Sequence, residues 1–363
     1  MSEILKLSPL DQNHRELGGR MVSFAGWEMP VMYDSIIEEH RAVREACGVF
    51  DISHMGQVFA SGEGVEEWLE GLLTNEVAAL EPGNAHYTFM LNEEGGVIDD
   101  LILYRLGDED FLLLVNASCI DLDVAWLEKH RKGEVKLENE SSQWAGMAVQ
   151  GPKAAEVYTT ITEGRTLPTR NGVDDLKHEG ERLLVCRTGY TGEDGFELFC
   201  PAGQASHWWK ALMEAEVKAC GLGARDSLRL EMCYPLNGSD LSPQRSPLEA
   251  GLGFFVALGK GNKGDFMGSE ILAKQKEDGC AERLMAIEVT ERAAPPRPGY
   301  PVLDEAGSPL GVLTSGCLSP SLDKGICLAY LPVSRAKIGT QISLEVRGRK
   351  ISAQVVKKPF YRK

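Results

Sequence analysis

The sequence predicts an α+β chain of two or three domains with an all-β barrel or sandwich at its C-terminal end. The length predicts the number, because 363 residues exceed what one small core organises. The texture predicts the split. Residues 1–264 alternate short strands with helices, whereas from about Glu282 Pro and Gly become frequent and six short apolar runs follow at regular spacing. A polar helical stretch rich in Lys and Glu, from Asp265 to Arg283, separates region 1–264 from region 282–363.

The elements follow in order. Residues 1–34 read as loop and short strand, with Gly18-Gly19 and the apolar pair Phe24 and Trp27. Ser35 with Glu38 three residues on forms a capping box for a helix that Gly48 ends. Its apolar stripe is Ile36, Ile37, His40, Val43 and Ala46 or Cys47. A strand at 57–60 and a helix at 65–73 come next. Strands at 86–91 and 97–106, joined by the turn Asn92–Gly96, predict a hairpin, and a third strand covers 111–115. A helix follows Ser118. Met147–Gln150, Gly151-Pro152 and the helix after them repeat strand, turn and helix, and another helix starts near Gly223. The C-terminal strands read as 284–289, 301–303, 311–314, 326–330, 341–346 and 351–356.

Composition excludes several function classes. Hydrophobic content of 43% and charged content of 25% suit a globular protein. No apolar run reaches the roughly 18 residues of a membrane span, and no secretory signal is visible. Nine scattered cysteines with no Cys-x-x-Cys pair fit reduced thiols in a cytoplasm better than a disulfide framework or a zinc site. A net charge of −16 argues against nucleic acid as partner. No His or Cys spacing suits a metal.

Two clusters and one pair of carboxylates carry candidate chemistry. In Arg187–Glu197, three glycines let the backbone turn tightly, and Arg187, Tyr190, Glu193, Asp194 and Glu197 exceed what a turn needs. A plainer reading is a hydrogen-bonded hairpin turn. Arg225, Asp226, Arg229 and Glu231 sit on the helix near Gly223, where Arg225 and Arg229 share a face; this cluster also reads as an intrahelical salt-bridge face. Asp99-Asp100 lies on the strand after Gly95-Gly96, so alternation turns only one carboxylate inward among Val97, Ile98, Leu101 and Leu103. A desolvated carboxylate there has a raised proton affinity and suits acid/base work or the steadying of a cation; the alternative is a solvated pair. His54 reads as structural and Met55 as an apolar wall. Gly259-Lys260-Gly261-Asn262-Lys263-Gly264 matches Gly-x-Gly-x-x-Gly after an apolar strand at 254–258, but no helix starts inside it, so it reads as a flexible loop. No nucleophile motif is present, so covalent catalysis lacks a candidate.

These strings resemble the glycine cleavage T-protein (aminomethyltransferase) family over essentially the whole chain. The likeness rests on Gly26–Pro30, Phe50–Met55, Gly95–Leu101, Gln150–Pro152, Gly189–Gly195, Ala224–Glu231, Pro247–Gly253, Thr314–Gly316 and Ser319–Leu322. It implies a three-domain cloverleaf, with mixed α/β folate-binding N-terminal and middle domains intertwined within 1–264 and a C-terminal all-β barrel in 282–363. It implies tetrahydrofolate as co-substrate, the lipoylated H protein as partner, loss of ammonia through an iminium-like cation and formation of methylenetetrahydrofolate. By the same resemblance Asp99 is the catalytic residue. Met55, Tyr87, Asn116, Tyr190, Glu197, Arg225 and Arg362 line the folate site, with Glu197 accepting from the pterin amino groups and Arg225 or Arg362 meeting the carboxylate-bearing tail.

The stretch before Asp265-Phe266-Met267-Gly268 and the residues Cys327-Leu328-Ala329 depart from the family pattern. The H protein is typically acidic, so a negative enzyme needs a local basic patch; Lys153, Arg292, Arg297 and Lys357-Lys358 are the candidates. The free enzyme is expected to be a cytoplasmic monomer. Alternative readings are another tetrahydrofolate-dependent transferase such as a demethylase, a non-catalytic folate-binding factor, and a nucleotide oxidoreductase.

Overall fold

The computed structural model describes residues 4–261 and 263–363; Met1–Glu3, at the end read for a secretory signal, and Asn262, inside the Gly259–Gly264 loop, lie outside the described residues. The chain opens with β1 (Lys6–Leu7), α1 (Asp11–Glu16), β2 (Arg20–Phe24) and β3 (Trp27–Met32). Then come α2 (Ile36–Glu45), β4 (Gly48–Asp51), β5 (Gly56–Ser61) and α3 (Val65–Glu70). The hairpin strands β6 (Asn84–Leu91) and β7 (Val97–Gly107) lead to β8 (Asp110–Val115), α4 (Ile120–Lys129) and β9 (Lys136–Asn139). Next are β10 (Trp144–Gln150), α5 (Ala154–Ile161), β11 (Val173–His178), β12 (Glu181–Cys186) and β13 (Gly195–Pro201). They are followed by α6 (Ala205–Glu214), β14 (Lys218–Ala219), α7 (Leu222–Glu231) and α8 (Ser269–Asp278). The last six strands are β15 (Glu282–Val289), β16 (Pro301–Leu303), β17 (Pro309–Ser319), β18 (Lys324–Pro332), β19 (Gln341–Val346) and β20 (Arg349–Val356).

Two compact units emerge. Among the described residues, one comprises 4–70, 76–88 and 100–226; the other comprises 71–75, 89–99, 227–261 and 263–363, so the division passes through β6, β7 and α7. The first unit holds a six-stranded sheet in the order β11-β12-β13-β10-β4-β14. Every residue of β10 is buried, which is why that strand reads as a continuous apolar run rather than an alternating one. Met147, Val149, Val185, Leu198, Trp208 and Trp209 form its core with Tyr158. Each such side chain contributes roughly 1.5–3 kcal/mol of transfer free energy on full burial. A second sheet runs β6-β7-β8-β5-β9. In the other unit β15-β18-β17-β16-β19-β20 close into an all-antiparallel barrel around Ile287, Leu313, Cys327, Ala329, Leu344 and Val355. The mixed α/β fold with a C-terminal barrel is the predicted class.

Several local expectations need correction. Residues 1–34 hold a helix and three strands, because β2 and β3 pair with each other and β1 pairs with β3 in a small sheet that no single segment advertises. Ser35 is the N-cap of α2 but makes no side-chain cap bond; Glu39 reaches back instead, accepting from the backbone N–H groups of Tyr33 at 2.7 Å and Asp34 at 3.1 Å. Glu38 pairs with Arg41 on the exposed side. Ile37 is exposed, so the buried stripe narrows to Glu39, His40 and Val43. Gly48 does not end the helix; it opens β4, where a Cβ would lie 2.6 Å from Val43 and 2.7 Å from Cys220. Residues 254–258 form no strand. Lys263, in the loop after them, is buried and donates to the carbonyl of Leu73 at 2.8 Å, so at that point the loop acts as a structural clasp.

Candidate functional site

Side chains alternate along β7. Val97, Asp99, Leu101 and Leu103 are buried, while Ile98, Asp100 and Ile102 are half-buried. Asp99 has no solvent exposure. Its Oδ1 accepts a 2.9 Å bond from Nδ2 of Asn237. The turn before it, Asn92–Gly96, is closed by Asn92, whose side chain accepts from the N–H groups of Glu94 and Gly96. Gly96 has to be glycine, since a Cβ there would lie 1.8 Å from the carbonyl oxygen of Pro243.

Tyr87 and Asn116 gather around Asp100. The Tyr87 hydroxyl donates to Asp100 Oδ2 at 2.7 Å, and Asn116 Nδ2 reaches the Asp100 carbonyl at 2.8 Å and its Oδ1 at 3.1 Å. All three side chains are half-buried, so their contacts fix the outer face of β7 while leaving edges open to a ligand.

Glu197, Tyr190 and Arg225 form a separate cluster. Glu197 sits on β13, 5% exposed, and accepts from the Thr188 hydroxyl at 2.7 Å and the Tyr104 hydroxyl at 3.4 Å. Burial pushes its carboxyl above the usual range, against the lowering effects of Thr188, Arg225 and Tyr104. The Arg225 guanidinium lies over the Tyr190 ring, 4.9 Å from its centroid. Its Nη1 is enclosed and has no hydrogen-bond partner. An enclosed cationic donor without an acceptor is costly unless something supplies one.

The rest of the Arg187–Glu197 segment serves the fold. Arg187 bridges Asp194 at 3.1 and 2.8 Å, Glu193 takes Arg44 at 2.9 Å, and Thr191 donates to Gln150. On α7, Arg229 binds Asp240 at 2.8 Å and Ser315 at 2.8 Å, while Glu231 accepts from Ser319 and Ser321.

Met55 is half-buried in the turn between β4 and β5, where its N–H donates to the Ile52 carbonyl. That turn hangs on a network the sequence reading missed. Asp51, 3% exposed, takes Ser8 and His14 on Oδ2, the latter at 2.8 Å, and the Ser53 N–H and hydroxyl on Oδ1 at 2.8 and 2.6 Å. His14 in turn meets the Tyr33 hydroxyl at 2.8 Å. Burial alone would push the Asp51 carboxyl up, but the bonds from His14, Ser53 and Ser8 bring it below the usual range. Its members are scattered from Ser8 to Ser53, so no local pattern announces them. Next door, His54 is 3% exposed with an unpartnered Nδ1; burial, aided by Arg225, lowers its pKa to about 4, so it is neutral at physiological pH.

Arg362 is exposed near the end of the chain, after Phe360 and Tyr361, whose N–H groups donate to the Glu231 carbonyl. Of the basic-patch candidates, Lys153, Arg292, Arg297 and Lys357 are exposed. Lys358 is half-buried, directed at the Ala250 carbonyl at 3.4 Å, and its ammonium is disfavoured by desolvation.

The chain and its fold match those of known proteins. Residues 10–260 match a family model described as the GCVT N-terminal domain, and residues 282–362 one described as the glycine cleavage T-protein C-terminal barrel domain. The aminomethyltransferase of Bacillus subtilis (strain 168) is 43% identical over 366 residues, covering 99% of this chain and 100% of its own. That of Geobacillus kaustophilus is 44% identical with the same coverage. The crystal structure of the glycine cleavage system aminomethyltransferase T from Bartonella henselae superimposes with a TM-score of 0.93 at 34% identity, over 98% of each chain.

Proposed function

The chain belongs to the glycine cleavage T-protein family and is an aminomethyltransferase, and from that premise we propose how its own residues serve the reaction. The one-carbon unit passes from aminomethyl-dihydrolipoyl H protein to tetrahydrofolate, ammonia leaves, and 5,10-methylenetetrahydrofolate forms. The observation that carries the reading is the carboxylate pair on β7: Asp100, half-buried, is held by Tyr87 and Asn116, which the resemblance puts in the folate site, while Asp99 has no solvent exposure on the opposite face. Tetrahydrofolate supplies the nitrogen that receives the carbon.

A fixed anion in a low-dielectric site stabilises developing positive charge far better than water does, because it needs no reorganisation as the charge appears. Asp100, which shares its face of β7 with Tyr87 and Asn116, is the carboxylate placed to act on a bound folate, in preference to the Asp99 that the resemblance named. Glu197 accepts from amino groups of the pterin, and its disfavoured ionisation is relieved when donors arrive. Tyr190 offers a ring face, and the unpartnered Nη1 of Arg225 is a ready donor to an anionic or carbonyl acceptor. Met55, Tyr87 and Asn116 complete the lining of the folate site, and Arg362 meets the carboxylate-bearing tail. The exposed cations Lys153, Arg292, Arg297 and Lys357 are candidates for meeting the acidic H protein. Nine free cysteines, eight of them buried, fit a reducing cytoplasm.

The test is direct. Purified enzyme receives aminomethylated H protein with and without tetrahydrofolate, and both ammonia and methylenetetrahydrofolate are measured. Stoichiometric, folate-dependent release of both is the expected result. Asp100→Asn keeps its melting temperature and loses about 10²–10³ in kcat, more than Asp99→Asn loses. Near-normal turnover in Asp100→Asn beside a folded but inactive Asp99→Asn returns the role to Asp99.

A further inference from the structure

Gln150 ends β10 and has no solvent exposure. We propose that Gln150 is a positioning residue for tetrahydrofolate: its side-chain amide fixes the turn on either side of Tyr190 and so sets the ring face that the folate meets. This rests on the reading of Tyr190 as a wall of the folate site.

One amide holds both ends of a short stretch of chain. Its Nε2 donates to the carbonyl of Thr188 at 3.1 Å, and the Thr191 hydroxyl donates to its Oε1 at 2.9 Å. Tyr190 lies between these two residues. Nε2 also reaches the Val149 carbonyl at 3.2 Å. Both neighbours of Nε2 are acceptors, so the amide presents its NH₂ end to them and its oxygen to Thr191; the flipped amide would set oxygen against oxygen. Between the two anchors the backbone lies directly on the amide, since a Cβ on Gly189 would fall 2.0 Å from Oε1. Glycine is what permits so close an approach.

Residues 187–194 join β12 to β13 and form neither strand nor helix, so tertiary bonds decide the conformation around Tyr190. The outer ends are tied to backbone. Arg187 donates to the Gly172 carbonyl and accepts from the Asn171 N–H, and Asp194 accepts from the Gly151 N–H at 2.8 Å. In the middle the anchors are side chains: Gln150, and Arg44, whose Nη1 donates to the Thr191 carbonyl at 2.7 Å. Gln150 is itself on fixed backbone, because β10 pairs with β13 on one side and β4 on the other, with Gln150 opposite Gly195 and Gly48. Alternation puts its side chain on the face of Ala148, which lies opposite Glu197. The amide therefore works on the sheet face that carries Glu197, and Thr188, held at its carbonyl by Gln150, gives its hydroxyl to that carboxylate at 2.7 Å. The Tyr190 ring then stands 4.9 Å from the Arg225 guanidinium. A ring held in place beforehand spares binding the entropy of ordering it.

The experiment uses the full-length enzyme. Tetrahydrofolate binding is followed by intrinsic fluorescence, and turnover by ammonia release from aminomethylated H protein. Gln150→Met keeps the length of the side chain and removes its three bonds. It raises Kd and KM for tetrahydrofolate about 10-fold and leaves kcat at saturating folate within about two-fold of wild type, because the loss falls on binding. In a Tyr190→Ala background the same substitution brings no further loss of affinity, because its effect runs through the ring. Thr191→Val removes the hydroxyl that meets Oε1, gives a smaller rise in Kd, and carries the test should Gln150→Met not fold. A lower urea midpoint with unchanged Kd, equal losses of affinity in both backgrounds, or a fall in kcat in place of a rise in KM overturns the proposal. The two failures separate: normal affinity in Tyr190→Ala removes the folate reading of Tyr190 itself, whereas weak binding by Tyr190→Ala beside normal binding by Gln150→Met removes only the role of Gln150.

Discussion

Two buried carboxylates in the same unit, Asp51 and Glu197, have opposite electrostatic fates. Asp51 receives four donated bonds, from Ser8, His14 and twice from Ser53, and its carboxyl falls below the ordinary range. Glu197 receives two, from Thr188 and more distantly from Tyr104, and its carboxyl rises above it. Burial acts upward on both, so the difference lies in how far the surroundings compensate. A carboxylate compensated by its own protein is a fold device. One left short, beside an enclosed Arg225 donor that also lacks a partner, waits for an outside group. The same contrast separates the turn under Met55, which is locked, from the cluster around Tyr190, which is poised.

The comparison breaks most sharply at His14. His14→Leu takes one of the four donated bonds from the buried Asp51 carboxylate, and losing a hydrogen bond to a charged group costs about 1.5–3 kcal/mol. Urea unfolding reads this as a lower midpoint, while KM for tetrahydrofolate in the folded fraction stays within a few-fold of wild type. The pH dependence has a definite sign. Because the folded-state pKa of Asp51 is depressed, its contribution is present above the unfolded value of about 3.9 and is lost as pH falls through the folded value. The stability gap between wild type and variant therefore narrows under acid. A gap that is unchanged below pH 4 shows that Asp51 is not the seat of the effect.

Glu197→Gln is the converse. Its folded-state pKa is raised, so ionisation costs stability as pH climbs from about 4.3 through the folded value and stays costly above it. The amide removes that cost and still accepts from Thr188. The variant therefore melts no lower than wild type at pH 7, yet binds tetrahydrofolate about 10- to 100-fold more weakly, since hydrogen bonds to a charged acceptor are lost. Titration of intrinsic fluorescence with tetrahydrofolate, alongside a melt at pH 7 and pH 4, checks both halves. A variant that binds normally and melts lower returns Glu197 to the structural class.

How much of this was legible in the chain depends on the range of the interaction. The hairpin around Gly95-Gly96 and the six barrel strands were readable because period-2 alternation and turn chemistry are local. The inward carboxylate was narrowed to one of two by alternation, but which one depended on where β7 begins against Ser242 and Arg245, more than 140 positions away. The Asp51 network and the Asn237 contact could not be read at all. Their partners lie up to 43 and 138 residues apart, and no spacing rule reaches that far. The capping box failed for a different reason: tertiary contacts with Gly221 and Tyr33 recruited Glu39, one residue beyond the expected glutamate.

The smallest expected effect comes from the segment that looked richest in the sequence. Arg187 and Asp194 stood out as polar groups in excess of what a turn needs, yet they bind each other in bidentate fashion across the turn, with side chains 28% and 47% exposed. Asp194 is lowered chiefly by its bond to Arg187, as an internal partner requires. Exposed pairs of this kind contribute about 0.2–1 kcal/mol after solvent screening. Arg187→Ala therefore shifts the unfolding midpoint slightly, less so at high salt, and leaves kcat and KM for tetrahydrofolate within about two-fold of wild type. A ten-fold or larger change in KM would place Arg187 with Glu197 among the groups that meet a ligand. It would also show that counting donated bonds is too coarse a way to separate the poised residues of this loop from those that merely close it.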